Sequence, residues 1–94
     1  MSQFTSIELL ESAHEFPCEY TIKAIGKNEN DFVFRASAAV RQALSLEFDP
    51  PVKTRETSAG RHIAVTFTIT FETAELVLEA YEQLRQIDGL VLLL

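Results

Sequence analysis

Between Ile25 and Phe32 the chain carries Gly26-Lys27-Asn28-Glu29-Asn30-Asp31, a run of turn-forming residues that hands a strand over to a helix. The start of a helix exposes backbone amides with no partner inside the helix. Small anionic or zwitterionic ligands dock on such amides. Gly26, Lys27, Asn28, Asn30 and Asp31 are therefore the candidate ligand-binding residues, with the loop amides as donors.

The other residues that could do chemistry are scattered. Arg35, just inside the following helix, invites comparison with acylphosphatases, whose loop amides and one arginine hold an acyl phosphate. Glu29 and Asp31 would repel that ligand, so Arg35 reads as a solvated helix arginine. His14 and His62 lack the i, i+3 or i, i+4 spacing of a helical metal pair. Cys18 is the single cysteine and falls on the apolar side of a strand, where it reads as a small buried hydrophobe. One thiol allows neither an internal disulfide nor a cysteine-rich metal site. Glu75, Glu79 and Glu82 recur along one helix, and Arg85 follows Glu82 by three, the pattern of a solvated face with a weak ion pair. No nucleophile, base and oxyanion donor come together, so the expectation is a non-enzymatic protein without metal or cofactor.

The elements that must position these residues follow from periodicity. His62 to Phe71 alternates polar and apolar residues, predicting a strand with Ile63, Val65, Phe67, Ile69 and Phe71 in the core and His62, Thr66, Thr68 and Thr70 opposite. Glu19 to Ile25 predicts a first strand, with Tyr20, Ile22 and Ala24 alternating with Glu19, Thr21 and Lys23. Val52 to Ser58 reads as a charge-protected edge strand, Ala59-Gly60-Arg61 as a hairpin turn, and Leu90 to Leu94 as a closing strand. Asn30 or Asp31 can cap a helix running to about Ser45, with Phe32, Ala36, Ala39, Val40, Ala43 and Leu44 in one stripe. Thr73 can cap a second helix, stopped by Asp88-Gly89, whose Val77, Ala80, Tyr81, Leu84 and Ile87 share a face. Phe4 to His14, with Ser6 as a cap, holds one or two helical turns before Phe16-Pro17. The order is βαββαβ after an N-terminal extension, residues 1–15. This predicts an α+β, ferredoxin-like sandwich with sheet order 4-1-3-2 and two helices on one face.

Ninety-four residues at 47% apolar make one globular domain, residues 1–94. Eight Lys and Arg against 14 Asp and Glu leave a net charge of −6, which opposes binding to phosphate backbones. Met1-Ser2-Gln3-Phe4-Thr5 lacks the basic and apolar parts of a signal peptide, and Leu90 to Leu94 is too short to cross a bilayer. A cytoplasmic protein without membrane contact is expected. The open face should carry Glu19, Thr21, Lys23, Ala64, Thr66, Thr68 and Thr70, with Lys53, Arg55 and Thr57 from the edge strand. RNA-recognition domains of this topology place stacking aromatics on the central strands; threonine and alanine give no such platform, so no nucleic acid is expected. A threonine-rich face is either a plain solvated sheet or a surface buried against a protein partner. The uncharged closing strand at a sheet edge opens a further route, pairing with a second copy across a two-fold axis.

Four segments together resemble a known group. Glu8-Leu9-Leu10-Glu11, Phe16-Pro17-Cys18-Glu19-Tyr20-Thr21-Ile22-Lys23-Ala24-Ile25-Gly26, Ser58-Ala59-Gly60-Arg61-His62 and Tyr81-Glu82-Gln83-Leu84-Arg85-Gln86-Ile87-Asp88 look like the YbeD-like family, small bacterial proteins classed as a domain of unknown function. The resemblance spans the chain from about Ile7 onward. It implies a ferredoxin-like fold similar to ACT regulatory domains, which bind amino acids or other small molecules near the first strand-helix loop, commonly at subunit interfaces. The expectation is thus a regulatory or adaptor module that binds a small metabolite. The alternative is a protein-interaction or homo-oligomerisation unit acting through the open face or the closing strand.

Overall fold

The alternating stretch from His62 to Phe71 forms a ten-residue strand that organises the sheet. The computed structural model describes residues 6–94, in the order α1 (Ser6–Ala13), β1 (Cys18–Lys27), α2 (Phe32–Leu44), β2 (Val52–Thr57), β3 (His62–Phe71), α3 (Ala74–Arg85) and β4 (Leu90–Leu93). Phe4 and the start of the N-terminal extension lie outside the described residues, as does the side chain of Ser6, the expected cap. A 3-10 turn, Ser58–Gly60, joins β2 to β3 where a hairpin turn at Ala59-Gly60-Arg61 is expected from sequence. The strands lie in the order β2-β3-β1-β4, all pairs antiparallel, which is 4-1-3-2 read from the other edge.

β1 and β3 pair along their whole length, from Cys18 opposite Phe71 to Lys27 opposite His62. A slip of one residue would turn every apolar side chain to the wrong side, so this register sets both faces of the sheet. Ile22, Ala24, Val65, Phe67 and Phe71 are sealed against Phe32, Ala36, Val40, Val77, Ala80 and Leu84 from the two long helices. Small residues at Ala36 and Ala39 let α2 lie close to the strands. The body is 19 Å deep, room for one sheet and one layer of helices about 10–12 Å in diameter. α1 joins the helix side, where Leu10 packs on the core beside α3.

The two long helices start differently. Thr73 has an extended backbone and its Oγ1 accepts from the Leu76 amide at 3.3 Å, the expected cap. Asp31 holds the corresponding place before α2, yet its carboxylate makes no capping bond. Asn30 and Asp31 are both left-handed, with φ of 54° and 55°, whereas a capping residue needs an extended backbone to swing its side chain over the helix amides. Cys18 also departs from expectation. It is only half-buried, because it opens β1 at the end of the sheet.

Candidate functional site

The structure divides the loop residues between three places. Gly26 is buried on the helix side of β1, and its missing side chain makes room for the Phe32 ring; a methyl there would overlap that ring. Lys27 continues β1 on the opposite side of the sheet, pairing with His62. Asn28 ties the loop to the β2–β3 turn: its Nδ2 donates to the Gly60 carbonyl at 3.0 Å and its amide to the Arg61 carbonyl at 2.9 Å. Asn28, Asn30 and Asp31 line a common hollow of about 700 Å³ at the start of α2, with Glu29 and Asp49 among its other walls. Gly26 and Lys27 are not part of it. Of its three carboxylates Asp49 is paired with Arg41, which leaves Glu29 and Asp31 to set the negative charge of this hollow.

Arg35 is not the solvated arginine expected from sequence. Its Nε donates to the Asn30 carbonyl and its Nη1 to the Asp88 carbonyl, both at 2.8 Å, and its Nη2 reaches the Glu29 carbonyl at 3.5 Å. The guanidinium also lies 5.8 Å from the centre of the Phe32 ring. Gly26, Phe32 and Arg35 thus form one stack that pins the first loop to the turn between α3 and β4. The fork geometry of arginine allows this, because several donors diverge from one rigid plane. A glycine near the end of a strand, followed by an aromatic and then an arginine one helical turn on, is the sequence signal of the arrangement.

The open side of the sheet carries the residues expected there, and more. Lys53 lies opposite Thr66, which lies opposite Lys23; the next row runs Arg55, Ala64, Ile25, Leu92, and a third pairs Thr57, His62 and Lys27. The Thr21 and Thr68 hydroxyls share a hydrogen bond of 3.1 Å across the two central strands. Ala64 is enclosed by its longer neighbours in the row, Arg55 and Ile25. Leu92 is 46% exposed, since of β4 only Leu90 and Leu93, three residues apart across the register shift, turn toward the helices. A hollow of about 270 Å³ lined by Pro51, Val52, Lys53, Thr66 and Thr68 opens on the same side.

Charge is partitioned between the layers. Lys23, Lys27, Lys53 and Arg55 stand on the open side, where Glu19 is the lone strand carboxylate among the described residues. None of the four cations has a hydrogen-bonding or ionic partner among the described residues. On the helix side Arg41 pairs with Asp49 and Arg85 with Glu82, each at 2.9 Å, while Arg35 is held by carbonyls.

Tyr20 joins two further clusters. Tyr81 donates to the Leu94 carbonyl at 3.2 Å and is hydrogen-bonded to the Tyr20 hydroxyl at 3.3 Å. Burial, reinforced by that bond to Tyr20, holds the Tyr81 phenol well above the usual tyrosine range. His14 packs edge-on against Tyr20, ring centres 5.2 Å apart, and is remote from His62 in the fold. Among the described residues no group of three or more His, Cys, Asp or Glu is arranged to hold a metal, and no helix is long and apolar enough to cross a membrane.

These features define a two-layer ferredoxin-like sandwich with one side of its sheet uncovered. The solution structure of protein HP0495 from H. pylori shares the fold, with a TM-score of 0.61 over 86% of this chain and 85% of that one at 14% identity. Residues 11–94 match the family described as "Protein of unknown function (DUF493)", and the chain belongs to that family. Among its relatives are UPF0250 proteins of Paraburkholderia phytofirmans and Sodalis glossinidius, 32% and 34% identical over 79% of this chain and 83% of theirs. Another, from Pasteurella multocida, is 30% identical over 85% of this chain and 89% of its own.

Proposed function

We propose that this domain is a non-enzymatic adaptor or regulatory module that takes a protein partner on the open side of its sheet. The observation that carries the reading is the four unpaired cations set around the Ala64, Ile25 and Leu92 row. Cations needed for stability would be expected to find partners within the chain; these have none among the described residues. Co-purification of the tagged protein from bacterial extract under mild conditions tests the reading, comparing wild type with Thr66→Trp on the open side and Glu79→Trp on the helix side. A partner protein should be retained by wild type and Glu79→Trp and lost with Thr66→Trp. Equal retention by Thr66→Trp, or no partner with wild type, overturns it.

A second reading, metabolite binding at the first loop, narrows to Asn28, Asn30 and Asp31 and is favoured by the hollow they line at the start of α2, where Asp31 makes no side-chain cap. An amino acid would set its amino group toward Glu29 and Asp31 and its carboxylate toward the amides at the start of α2. Thermal-shift measurements with millimolar amino acids should then show a rise in melting temperature, because a ligand of the folded state stabilises it. No rise removes this reading.

A further inference from the structure

Resting on the open-face reading, we infer that the partner segment is an acidic amphipathic helix from another protein. Its apolar stripe lies on Ile25 and Leu92, and its carboxylates meet Lys23, Lys27, Lys53 and Arg55. Three observations lead there. The central strands β1 and β3 are hydrogen-bonded on both sides, so the face offers side chains and no free backbone. A segment docking on a face must satisfy its own backbone, which a helix does internally and an extended strand does not. The face also combines apolar ground with positive charge. Lys23 and Lys53 flank Thr66 about 10 Å apart, two strand spacings, Arg55 ends the apolar row, and Lys27 lies in the row beyond it. The hollow beside Lys53, walled by Pro51, Val52 and the two threonines, can take one apolar side chain from the partner.

The other occupants fit less well. A nucleic acid would find no aromatic platform on these strands and a net charge of −6 behind them. A second copy meeting face to face would set the four cations of one chain against the same four of the other. An acidic helix instead pairs each cation and is drawn in by the local field.

The test uses two synthetic helical peptides with the same leucine stripe, one flanked by glutamates and one by lysines. Amide chemical shifts of the whole protein report where each binds. The glutamate peptide should shift Lys23, Ile25, Lys53, Ala64 and Thr66, and the lysine peptide should leave them unmoved. Lys23→Glu with Lys53→Glu should weaken the glutamate peptide by about tenfold or more and give the lysine peptide the preference. Both substitutions lie on the solvated side of the sheet, and an unchanged melting temperature shows that the variant is folded. Equal binding of the two peptides, binding of neither, or shifts confined to the helix side overturns the inference. So does tighter binding of a single-stranded RNA at the same residues, or self-association in light scattering that occupies them. If Thr66→Trp releases the co-purified partner while the double charge reversal retains it, the open-face reading stands and the acidic helix falls.

Discussion

The two sides of this four-stranded sheet treat their cations in opposite ways. Toward the helices, Arg35 is gripped by carbonyls from two loops, Arg41 is paired with Asp49 and Arg85 with Glu82. Toward solvent, Lys23, Lys27, Lys53 and Arg55 make no such bonds among the described residues. Opposite demands on neighbouring positions explain the contrast. Residues that close a layer are held by groups inside the chain, and residues on the free layer keep their charge in solvent. Basic residues gathered on one side of an acidic chain are therefore a more telling feature than its net charge of −6.

Substitutions on adjacent residues of β3 give the most severe test of that division. Phe67→Ala should cost about 3–5 kcal/mol by opening a cavity under the helices. That is a large share of the roughly 5–10 kcal/mol expected for a domain of this size. Thr66→Ala, one residue away on the other side, should cost no more than about 1 kcal/mol, the loss of strand propensity alone. Urea unfolding midpoints measure both, and similar losses would break the comparison. Gly26→Ala should come next, at about 1–3 kcal/mol, because the added methyl displaces the Phe32 ring. Arg35→Lys should lose about 1–2 kcal/mol in the same assay, since an ammonium cannot span the Asn30 and Asp88 carbonyls together.

The two smaller effects concern polar groups of the helix side. Tyr81 favours its neutral form in the folded state, through burial first and the bond to Tyr20 second. Its stabilising contribution is therefore complete below the ordinary tyrosine value near pH 10 and fades as pH rises beyond it. Between about pH 9 and about pH 11 the urea midpoint of the wild type should fall further than that of Tyr81→Phe, which has no phenol to ionise. Parallel curves would show that the Tyr81 environment is not as closed as its bonds imply. Glu82→Gln, which breaks the exposed pair with Arg85, should shift stability by no more than about 0.5 kcal/mol in the same urea assay.

Much of this architecture is determined by local pattern. The alternation from His62 to Phe71 specifies a strand with one buried side, the stripes around Val40 and Leu84 specify two helices, and Thr73 specifies where the second begins. Short connections and right-handed crossovers then leave essentially one sheet order. The open side was largely foreseeable from the same alternation, through Thr21, Lys23, Thr66 and Lys53.

What the chain did not disclose depends on partners far apart in it. Ile25, Lys27 and Leu92 join the open face only because β1 keeps its register to the end and β4 shifts by a residue opposite Ile25 and Gly26. Arg35 is held in place because the Asp88 carbonyl, 53 residues on, comes within reach. Asp31 fails as a cap because the loop turns through two left-handed residues. Periodicity is a property of neighbours and can be read one segment at a time. Register, clamping and charge segregation exist only once distant segments share a surface, so they belong to the tertiary structure alone.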